Sequence, residues 1–199
     1  MKTFANRTDE ELALLYAAGD NKAFDELLAR NQQKVFDYIQ FVVHDYDLSN
    51  DIFQDTFIKA IIFLQDGKYT DTGKFYFWLT RIAHNAIIDK FRRIKSAHIV
   101  EPNDDNDLSN LTSDELKEGN REMEFVNNQI RADVRHMISM LPANQREVVY
   151  MRYYLDLSFK EIAEITGVSI NTSLGRMRYA ILNMRRMAKK NHMQLDMEL

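Results

Sequence analysis

Hydrophobic positions recur every three to four residues along most of the chain, which is the spacing that one face of an α-helix requires. The clearest stretches are 20–45, 49–64, 74–95 and 169–190. A shorter helix is predicted after Thr8, because Thr8 and Glu11 have the spacing of a capping box. Only six glycines and two prolines occur in the chain, too few for many short strands joined by turns. The pattern therefore predicts an all-α fold.

The helical pattern is interrupted once, over residues 96–112, where the sequence has no period. Eight acidic and two basic side chains lie between Ser96 and Glu122, which gives this region a net charge of −6. Such composition is typical of a flexible linker. We predict two small helical domains, 1–95 and 113–199, joined by an acidic flexible linker over 96–112. Pro142 is expected at the first position of a helix, and the tail from Asn191 is expected to fray.

Composition excludes several classes of protein. The 199 residues contain no cysteine, which excludes disulfides, cysteine-ligated metals and thiol catalysis. No apolar run approaches the length of a membrane span, and the N-terminus has no secretory signal, so we expect a cytoplasmic protein with no membrane insertion. Five scattered histidines match no metal-ligand spacing, and no catalytic motif occurs. We expect no catalytic residues, no metal site and no cofactor.

The net charge of −4 argues by itself against nucleic-acid binding, but the charges are segregated. Residues 176–190 carry a net charge of +6 and residues 81–95 a net charge of +4. Two basic segments on either side of an acidic one indicate two nucleic-acid contacts joined by a linker.

Residues 158–169 have the pattern of a helix-turn-helix. The small Ala163 allows two helices to cross closely, Gly167 fits the turn between them, and Ser169 caps the second helix. The alternative is an ordinary helical hairpin, but the strongly basic second helix favours DNA binding.

On a helical wheel of the last helix, one stripe is apolar and should be core. Its members are Ile170, Leu174, Met177, Ile181, Met184 and Ala188. The opposite face carries Thr172, Arg176, Tyr179, Asn183, Arg186 and Lys190. The residues expected to contact DNA are Ser169, Asn171, Thr172, Gly175, Arg176 and Tyr179. Gly175 either permits close approach to DNA or is a neutral substitution.

The helix over 49–64 has a second unusual face. Phe53, Phe57, Ala60, Ile61 and Leu64 should be core, and the other side carries Asp51, Asp55, Ile58 and Ile62. An exposed stripe of acids and isoleucines fits a protein partner with an arginine-rich helix. Alternatively, the two isoleucines pack on a neighbouring helix. A metal site is not supported, because no third ligand lies nearby.

The helix over 74–95 should bury Phe75, Trp78, Leu79, Ile82 and Ala86. Its other side carries Phe77, Arg81, His84, Ile88, Arg92 and Lys95. Basic residues beside an aromatic ring can bind phosphates and stack on exposed bases, and the loop over 67–74 could hold an unstacked base. The alternative is a solvated basic face.

These segments resemble bacterial RNA polymerase sigma factors of the extracytoplasmic-function (ECF) type. Residues 51–60, Asp-Ile-Phe-Gln-Asp-Thr-Phe-Ile-Lys-Ala, resemble the family's D-x-x-Q-[DE]-[TV]-F segment. Residues 75–85 resemble F-x-x-W-L-x-x-I-A-x-N, and residues 141–148 resemble the L-P-x-x-x-R-x-V opening of region four. Thr172-Ser173-Leu174-Gly175-Arg176 stands where many relatives have T-V-K-S-R, so their base preference does not carry over.

The resemblance implies core RNA polymerase and promoter DNA as partners. Polymerase would bind through Asp51, Gln54, Asp55 and Ile58. The −10 element would be opened and read by Lys68, Tyr69, Lys74, Arg81, His84, Asn85 and Arg92. The last helix would enter the major groove at the −35 element. An anti-sigma factor is a further candidate partner, because such factors often hold members of this family.

Two other functions compete with this interpretation. A helix-turn-helix regulator acting without polymerase explains residues 158–190 but gives the 51–64 stripe no role. A helical adaptor that sequesters a protein explains the acidic surface but not the helix of charge +6.

Overall fold

The computed structural model describes residues 4–70, 73–97 and 132–190, and these residues form helices and no strand. The chain divides into two compact units. The first contains α1 (Asp9–Ala17), α2 (Asn21–Val43), α3 (Tyr46–Gln65) and α4 (Phe75–Ala97). The second contains α5, described over 132–139, followed by α6 (Ala143–Tyr153), α7 (Phe159–Thr166) as far as Ala163, and α8 (Ile170–Lys190). The all-α prediction is confirmed.

Helix starts in the first unit follow local capping signals. The Thr8 hydroxyl accepts a hydrogen bond from the Glu11 N–H, and the Glu11 carboxylate accepts one from the Thr8 N–H, both at 3.2 Å. Asp20 caps α2 by accepting from the Lys22 N–H. The predicted capping box is therefore confirmed.

The connection from α2 to α3 is shorter than the sequence predicts. His44 takes the left-handed conformation with φ of 59° and ends α2. Asp45 then accepts from the Leu48 N–H at 2.8 Å. Because Asp45 supplies the cap, α3 begins at Tyr46 rather than near Ser49.

The core of the first unit lies where its four helices meet. Among its most buried side chains are Leu12, Leu27, Tyr38, Ile39, Ile52, Leu64, Leu79 and Ile87. The hydroxyls of Thr56 and Thr80 are also buried, and each donates to a carbonyl of its own helix at 2.7 Å. Both buried hydroxyls therefore have a hydrogen-bond acceptor.

Arg30 of α2 holds the N-terminal segment against the first unit. Its guanidinium donates to the backbone carbonyls of Phe4 at 2.9 Å and Arg7 at 2.8 Å. It also pairs with the carboxylates of Asp9 and Glu26. The segment before α1 is thus part of the folded unit.

α4 extends two residues past the predicted end of the first domain, and it is buried on more of its circumference than expected. The sequence pattern places His84 on the polar side, yet this residue is only 6% exposed. α4 packs against α1, α2 and α3, so its buried arc extends beyond the row of large apolar residues to His84. The assignment of His84 to the exposed face is wrong.

In the second unit, a half-buried arginine joins α5 to α6. Arg146 donates to the carbonyls of Ser139 at 2.8 Å and Leu141 at 2.9 Å. Burial lowers the pKa of Arg146 from its usual value because it removes the charged guanidinium from water. Pro142 precedes the first residue of α6 instead of occupying it.

The buried face of α8 is rotated from the predicted stripe. Met177 and Ala188 are buried as expected, but Ile170, Leu174 and Ile181 are 46%, 44% and 38% exposed. Ser173 and Ala180 are fully buried instead, roughly 60–80° around the helix from Ile170 at 100° per residue. Small side chains permit the close packing of α8 on α6, and this close contact decides which face is buried.

None of the helices among the described residues combines the length and apolar character that crossing a membrane requires. The predicted linker from residue 98, the predicted helical residues before 132 and the tail from Asn191 lie outside the described residues.

Candidate functional site

The helix-turn-helix begins at a capping box. The Ser158 N–H donates to the Glu161 carboxylate at 2.9 Å, and the Glu161 N–H donates back to the Ser158 hydroxyl at 3.3 Å. α7 ends at Thr166, and the next residue, Gly167, has a φ of +65°, the left-handed conformation that glycine favours. The Val168 N–H closes the turn on the Ala163 carbonyl at 3.1 Å.

Ser169 starts α8 as a cap. Its hydroxyl accepts from the Thr172 N–H at 3.1 Å and lies 2.9 Å from the Thr172 hydroxyl. The two hydroxyls predicted to contact DNA are therefore already hydrogen-bonded to each other. Both residues remain exposed, and a hydroxyl can accept and donate at once.

The outer face of α8 carries the other predicted DNA contacts. Asn171 and Tyr179 are exposed, with Tyr179 at 62%, whereas Arg176 is half-buried. A Cβ added at Gly175 would meet no atom within 4 Å. Packing within the protein therefore does not require glycine at this position.

Further along α8, basic side chains are exposed. They are Arg178, Arg185, Arg186, Lys189 and Lys190. None of them forms an ion pair with another described residue, and α8 contains no acid. Exposed cations along one helix create the positive potential that attracts phosphates.

The exposed side of α4 forms a continuous stripe. Its members are Arg81, Asn85, Ile88, Arg92 and Lys95, spaced three or four residues apart. Arg92 contacts Asp89 at 3.4 Å on its own helix. Three of the predicted −10 contacts, Arg81, Asn85 and Arg92, thus share one face, and buried His84 does not belong to it.

The loop before α4 places one predicted contact in the core. Tyr69 is 8% exposed and meets the rings of Phe75 and Trp78 edge-on at 5.7 and 5.0 Å. The predicted −10 contact Tyr69 is therefore a core residue, whose ring anchors the loop. Lys68 and Lys74 are exposed.

The first backbone N–H of α4 is capped from α1. Glu10 Oε1 accepts from the Phe75 N–H at 2.9 Å. This hydrogen bond to the charged form lowers the pKa of Glu10. The carboxylate fixes the point where the loop ends and α4 begins.

The acidic and apolar face of α3 is exposed as predicted. Asp51, Gln54, Asp55 and Ile58 all lie on the surface, and Ile58 and Ile62 are 55% and 46% exposed. The alternative in which these isoleucines pack on a neighbouring helix is therefore wrong within the described part of the chain. Phe53 and Ile61, assigned to the core, are only half-buried.

A groove runs between this face and α4. It encloses about 190 Å³ and is lined by Asp55, Ile58, Lys59, Ala86, Asp89, Lys90 and Arg93. Lys90 Nζ lies 3.2 Å from Asp51 Oδ2, and Lys59 Nζ lies 3.4 Å from Asp89 Oδ2. Sequence reasoning missed Lys90, because a pairing between two helices leaves no periodic signal in either one.

The described residues contain no group of three or more histidine, aspartate or glutamate side chains placed to bind a metal ion. The arrangement instead combines an acidic and apolar face with two basic helix surfaces. Such surfaces can bind protein and nucleic acid.

Two family models match the chain. Residues 27–97 match sigma-70 region 2, and residues 131–173 match sigma-70 region 4. These ranges contain α3, α4, α6, α7 and the first four residues of α8.

Similar proteins extend over most of the chain. The ECF RNA polymerase sigma-E factor of Escherichia coli K12 is 31% identical over 173 residues, covering 85% of this chain and 88% of that protein. The RNA polymerase sigma-H factor of Pseudomonas aeruginosa is 28% identical over 172 residues, covering 84% and 87%.

Solved structures share the fold. The sigma factor RpoE of Bartonella quintana, in complex with the anti-sigma factor NepR, matches with a TM-score of 0.62 and 19% identity, covering 88% of this chain and 99% of that one. CnrH, in complex with the cytosolic domain of CnrY, matches with a TM-score of 0.60 and 23% identity, covering 92% and 97%.

Proposed function

Because the chain belongs to the ECF family of RNA polymerase sigma factors, we propose how its two units divide the work of transcription initiation. The protein binds core RNA polymerase and directs promoter recognition. In our proposal, the first unit binds polymerase and the −10 element, and the second unit binds the −35 element. The observation that carries this division is the presence in one chain of an exposed acidic and apolar α3 face and a basic α8 in a helix-turn-helix.

The polymerase surface is formed by Asp51, Gln54, Asp55 and Ile58. The carboxylates attract arginine or lysine side chains, Gln54 can donate and accept hydrogen bonds, and Ile58 offers apolar area that is 55% exposed before binding. Polar groups around an apolar contact are the usual composition of a protein–protein interface. We assign this face to the clamp helices of the largest polymerase subunit.

The −10 element is contacted by the exposed side of α4 and by the loop before it. Arg81 and Arg92 bind phosphates, Asn85 can hydrogen-bond a base edge, and Lys68 and Lys74 extend the basic surface onto the loop. Tyr69 and His84 support this surface from the core.

The −35 element is read by the first turns of α8. Asn171, Thr172, Arg176 and Tyr179 face the bases, and Gly175 permits the duplex to approach. Ser169 holds the N-terminus of the helix through its cap. The later basic residues of α8 bind phosphates or polymerase.

An anti-sigma factor is proposed as a regulatory partner. The structure of RpoE, with which this chain shares its fold, contains the anti-sigma factor NepR. We further propose that the protein acts in the cytoplasm and has no enzymatic activity of its own, since its chemistry is binding and no reaction centre is needed for it.

Run-off transcription tests the proposed function against its rivals. Purified core polymerase is incubated with promoter templates with and without the protein. A sigma factor gives specific transcripts only when it is present. A regulator that acts without polymerase binds duplex yet supports no initiation by core enzyme, and a sequestering adaptor does neither.

A further inference from the structure

Asp51 and Asp55, the two carboxylates on the acidic and apolar face of α3, differ in their surroundings. Asp51 Oδ2 lies 3.2 Å from Lys90 Nζ of α4. Asp55 lines the adjacent groove and forms no ion pair with another described residue. Of the two negative charges proposed to meet polymerase, one is therefore paired and the other is not, within the described part of the chain.

The side chain of Lys90 packs along the groove between α3 and α4. Its side chain is 29% exposed, whereas that of Asp51 is 63% exposed, because the aliphatic part of Lys90 lines the groove beside Ile58 and Ala86. A lysine whose stem is packed loses less rotamer entropy on pairing than one that is fully exposed. The pair with Asp51 is consequently better organised than an ordinary surface ion pair.

From this geometry we propose that Lys90 competes with polymerase for Asp51. Its ammonium group pairs with the Asp51 carboxylate in the free protein, and a cation of polymerase displaces it on binding. The inference rests on the proposed polymerase surface. Binding at Asp51 then exchanges one cation for another, whereas binding at Asp55 forms a new pair. Lys90 lowers the affinity for polymerase and makes Asp55 the stronger of the two contacts.

A neighbouring pair offers a matched control. Lys59 of α3 pairs with Asp89 of α4 at 3.4 Å. It crosses the same two helices as the Lys90 pair, yet neither partner belongs to the proposed polymerase surface. Lys59→Met removes the same charge and the same kind of cross-helix contact without freeing Asp51.

The test measures the affinity of labelled full-length protein for core polymerase. Lys90→Met keeps an unbranched apolar stem and removes the charge. It should bind about two- to fivefold more tightly than the original protein, the range expected when one exposed ion pair stops competing. Lys59→Met should change the affinity by less than about 1.5-fold, and Lys90→Arg should bind like the original protein. The gain should shrink as added salt screens the charges.

A double-mutant cycle identifies Asp51 as the group through which Lys90 acts. In an Asp51→Asn background, Lys90→Met should give no further gain. Asp55→Asn should weaken binding more than Asp51→Asn does. Far-ultraviolet circular dichroism and Trp78 fluorescence verify folding of each variant, and Lys90→Gln is the second neutral variant if Lys90→Met fails to fold.

Unchanged or weaker binding of the neutral Lys90 variants would overturn the inference, as would an equal gain when Asp51 is already asparagine. The proposed surface itself fails if Asp51→Asn and Asp55→Asn both leave core affinity unchanged. If Asp55→Asn weakens binding and the neutral Lys90 variants do not strengthen it, the polymerase surface stands and the role of Lys90 is rejected.

Discussion

Glu10 of α1 accepts a hydrogen bond from the backbone N–H of Phe75, sixty-five positions further along the chain. A helix N-terminus leaves its first N–H groups without partners inside the helix, and here a side chain from another helix provides one. Phe75 also packs on Tyr69 and Trp78. One carboxylate therefore stabilises the start of the helix that we assign to the −10 element.

Replacing Glu10 by alanine should lower the free energy of unfolding of the first unit by about 1 kcal/mol at neutral pH, the usual cost of a lost helix cap. Because the folded-state pKa of Glu10 is lowered, its contribution is present above the unfolded-state pKa and is lost as the pH falls through the folded-state value. The difference between the variant and the original protein should therefore shrink as the solution is made more acidic.

Urea unfolding monitored by Trp78 measures this effect, since the chain has one tryptophan and it lies in the first unit. Asp25→Ala removes an exposed carboxylate of α2 and serves as the control. Equal stabilities for Glu10→Ala and the original protein, or a difference that persists in acid, would contradict the assignment.

Reversing the charge of Asp51 and Asp55 on α3 should abolish binding to core polymerase. Asp51→Lys with Asp55→Lys replaces two attractions by two repulsions on one exposed face. A single exposed pair contributes only about 0.5 kcal/mol, so the double reversal is needed. The measurement is a pull-down with core enzyme.

Asp25→Lys combined with Asp37→Lys is the matched control for this reversal, because it makes the same change in net charge on α2. We expect it to retain core binding. If the α3 variant binds as well as this control, the clamp assignment is wrong.

The free protein should bind isolated promoter duplex weakly, with a dissociation constant of roughly 1 µM or more, as for non-specific binding. Its net charge is −4, and the acidic segment after α4 can compete with DNA for the basic helices. Fluorescence anisotropy with a duplex selected by the assembled holoenzyme measures the affinity at physiological salt. Tight binding without polymerase would favour the helix-turn-helix regulator instead.

Substitutions of Arg176 and Lys189 should change promoter recognition in different ways. Arg176 lies in the second turn of α8, where a helix-turn-helix meets base edges, and a bidentate contact to guanine discriminates by about 1–3 kcal/mol. Arg176→Ala should therefore relax the preference at one or two −35 positions. Lys189→Ala should weaken all sequences about equally and flatten the salt dependence, as loss of a phosphate contact does.

Transcription from a promoter library distinguishes the two variants. If Arg176→Ala lowers transcription from every promoter by the same factor, Arg176 contacts the backbone of DNA and does not read a base.

Gly175→Ala should stabilise α8 and still reduce transcription. A Cβ at this position meets no protein atom within 4 Å, and alanine is favoured over glycine inside a helix by about 1 kcal/mol. Hydrogen exchange of α8 should slow in the free protein, while run-off transcription falls because the methyl group meets DNA. Unimpaired transcription would show that DNA binding does not require glycine at position 175.

The sequence predicts the order of helices because caps and turns are local. Three helix starts are marked by side chains that accept hydrogen bonds from nearby N–H groups, namely Thr8, Asp20 and Ser158. Gly167 marks a turn because glycine favours its left-handed conformation. The exposure of the α3 carboxylates also follows from periodicity, because the opposite side of that helix is strongly apolar.

Periodicity fails where packing depends on small side chains. On α8 the largest apolar residues suggest one buried face, but the helix approaches α6 through Ser173 and Ala180 and leaves Ile170 exposed. Hydrophobicity measures how much area a side chain can bury, not how closely two backbones can approach. The pattern misplaces His84 and Tyr69 for a related reason, since only the tertiary fold determines how far around a helix or loop burial extends.

The contacts of Arg30 decide where an isolated first unit can be cut. All of its hydrogen-bond and ion-pair acceptors, Phe4, Arg7, Asp9 and Glu26, precede residue 27. A fragment trimmed to the stretch that matches region 2, residues 27–97, would keep the guanidinium and lose every one of them. A fragment prepared for spectroscopy of this unit should therefore start no later than Phe4.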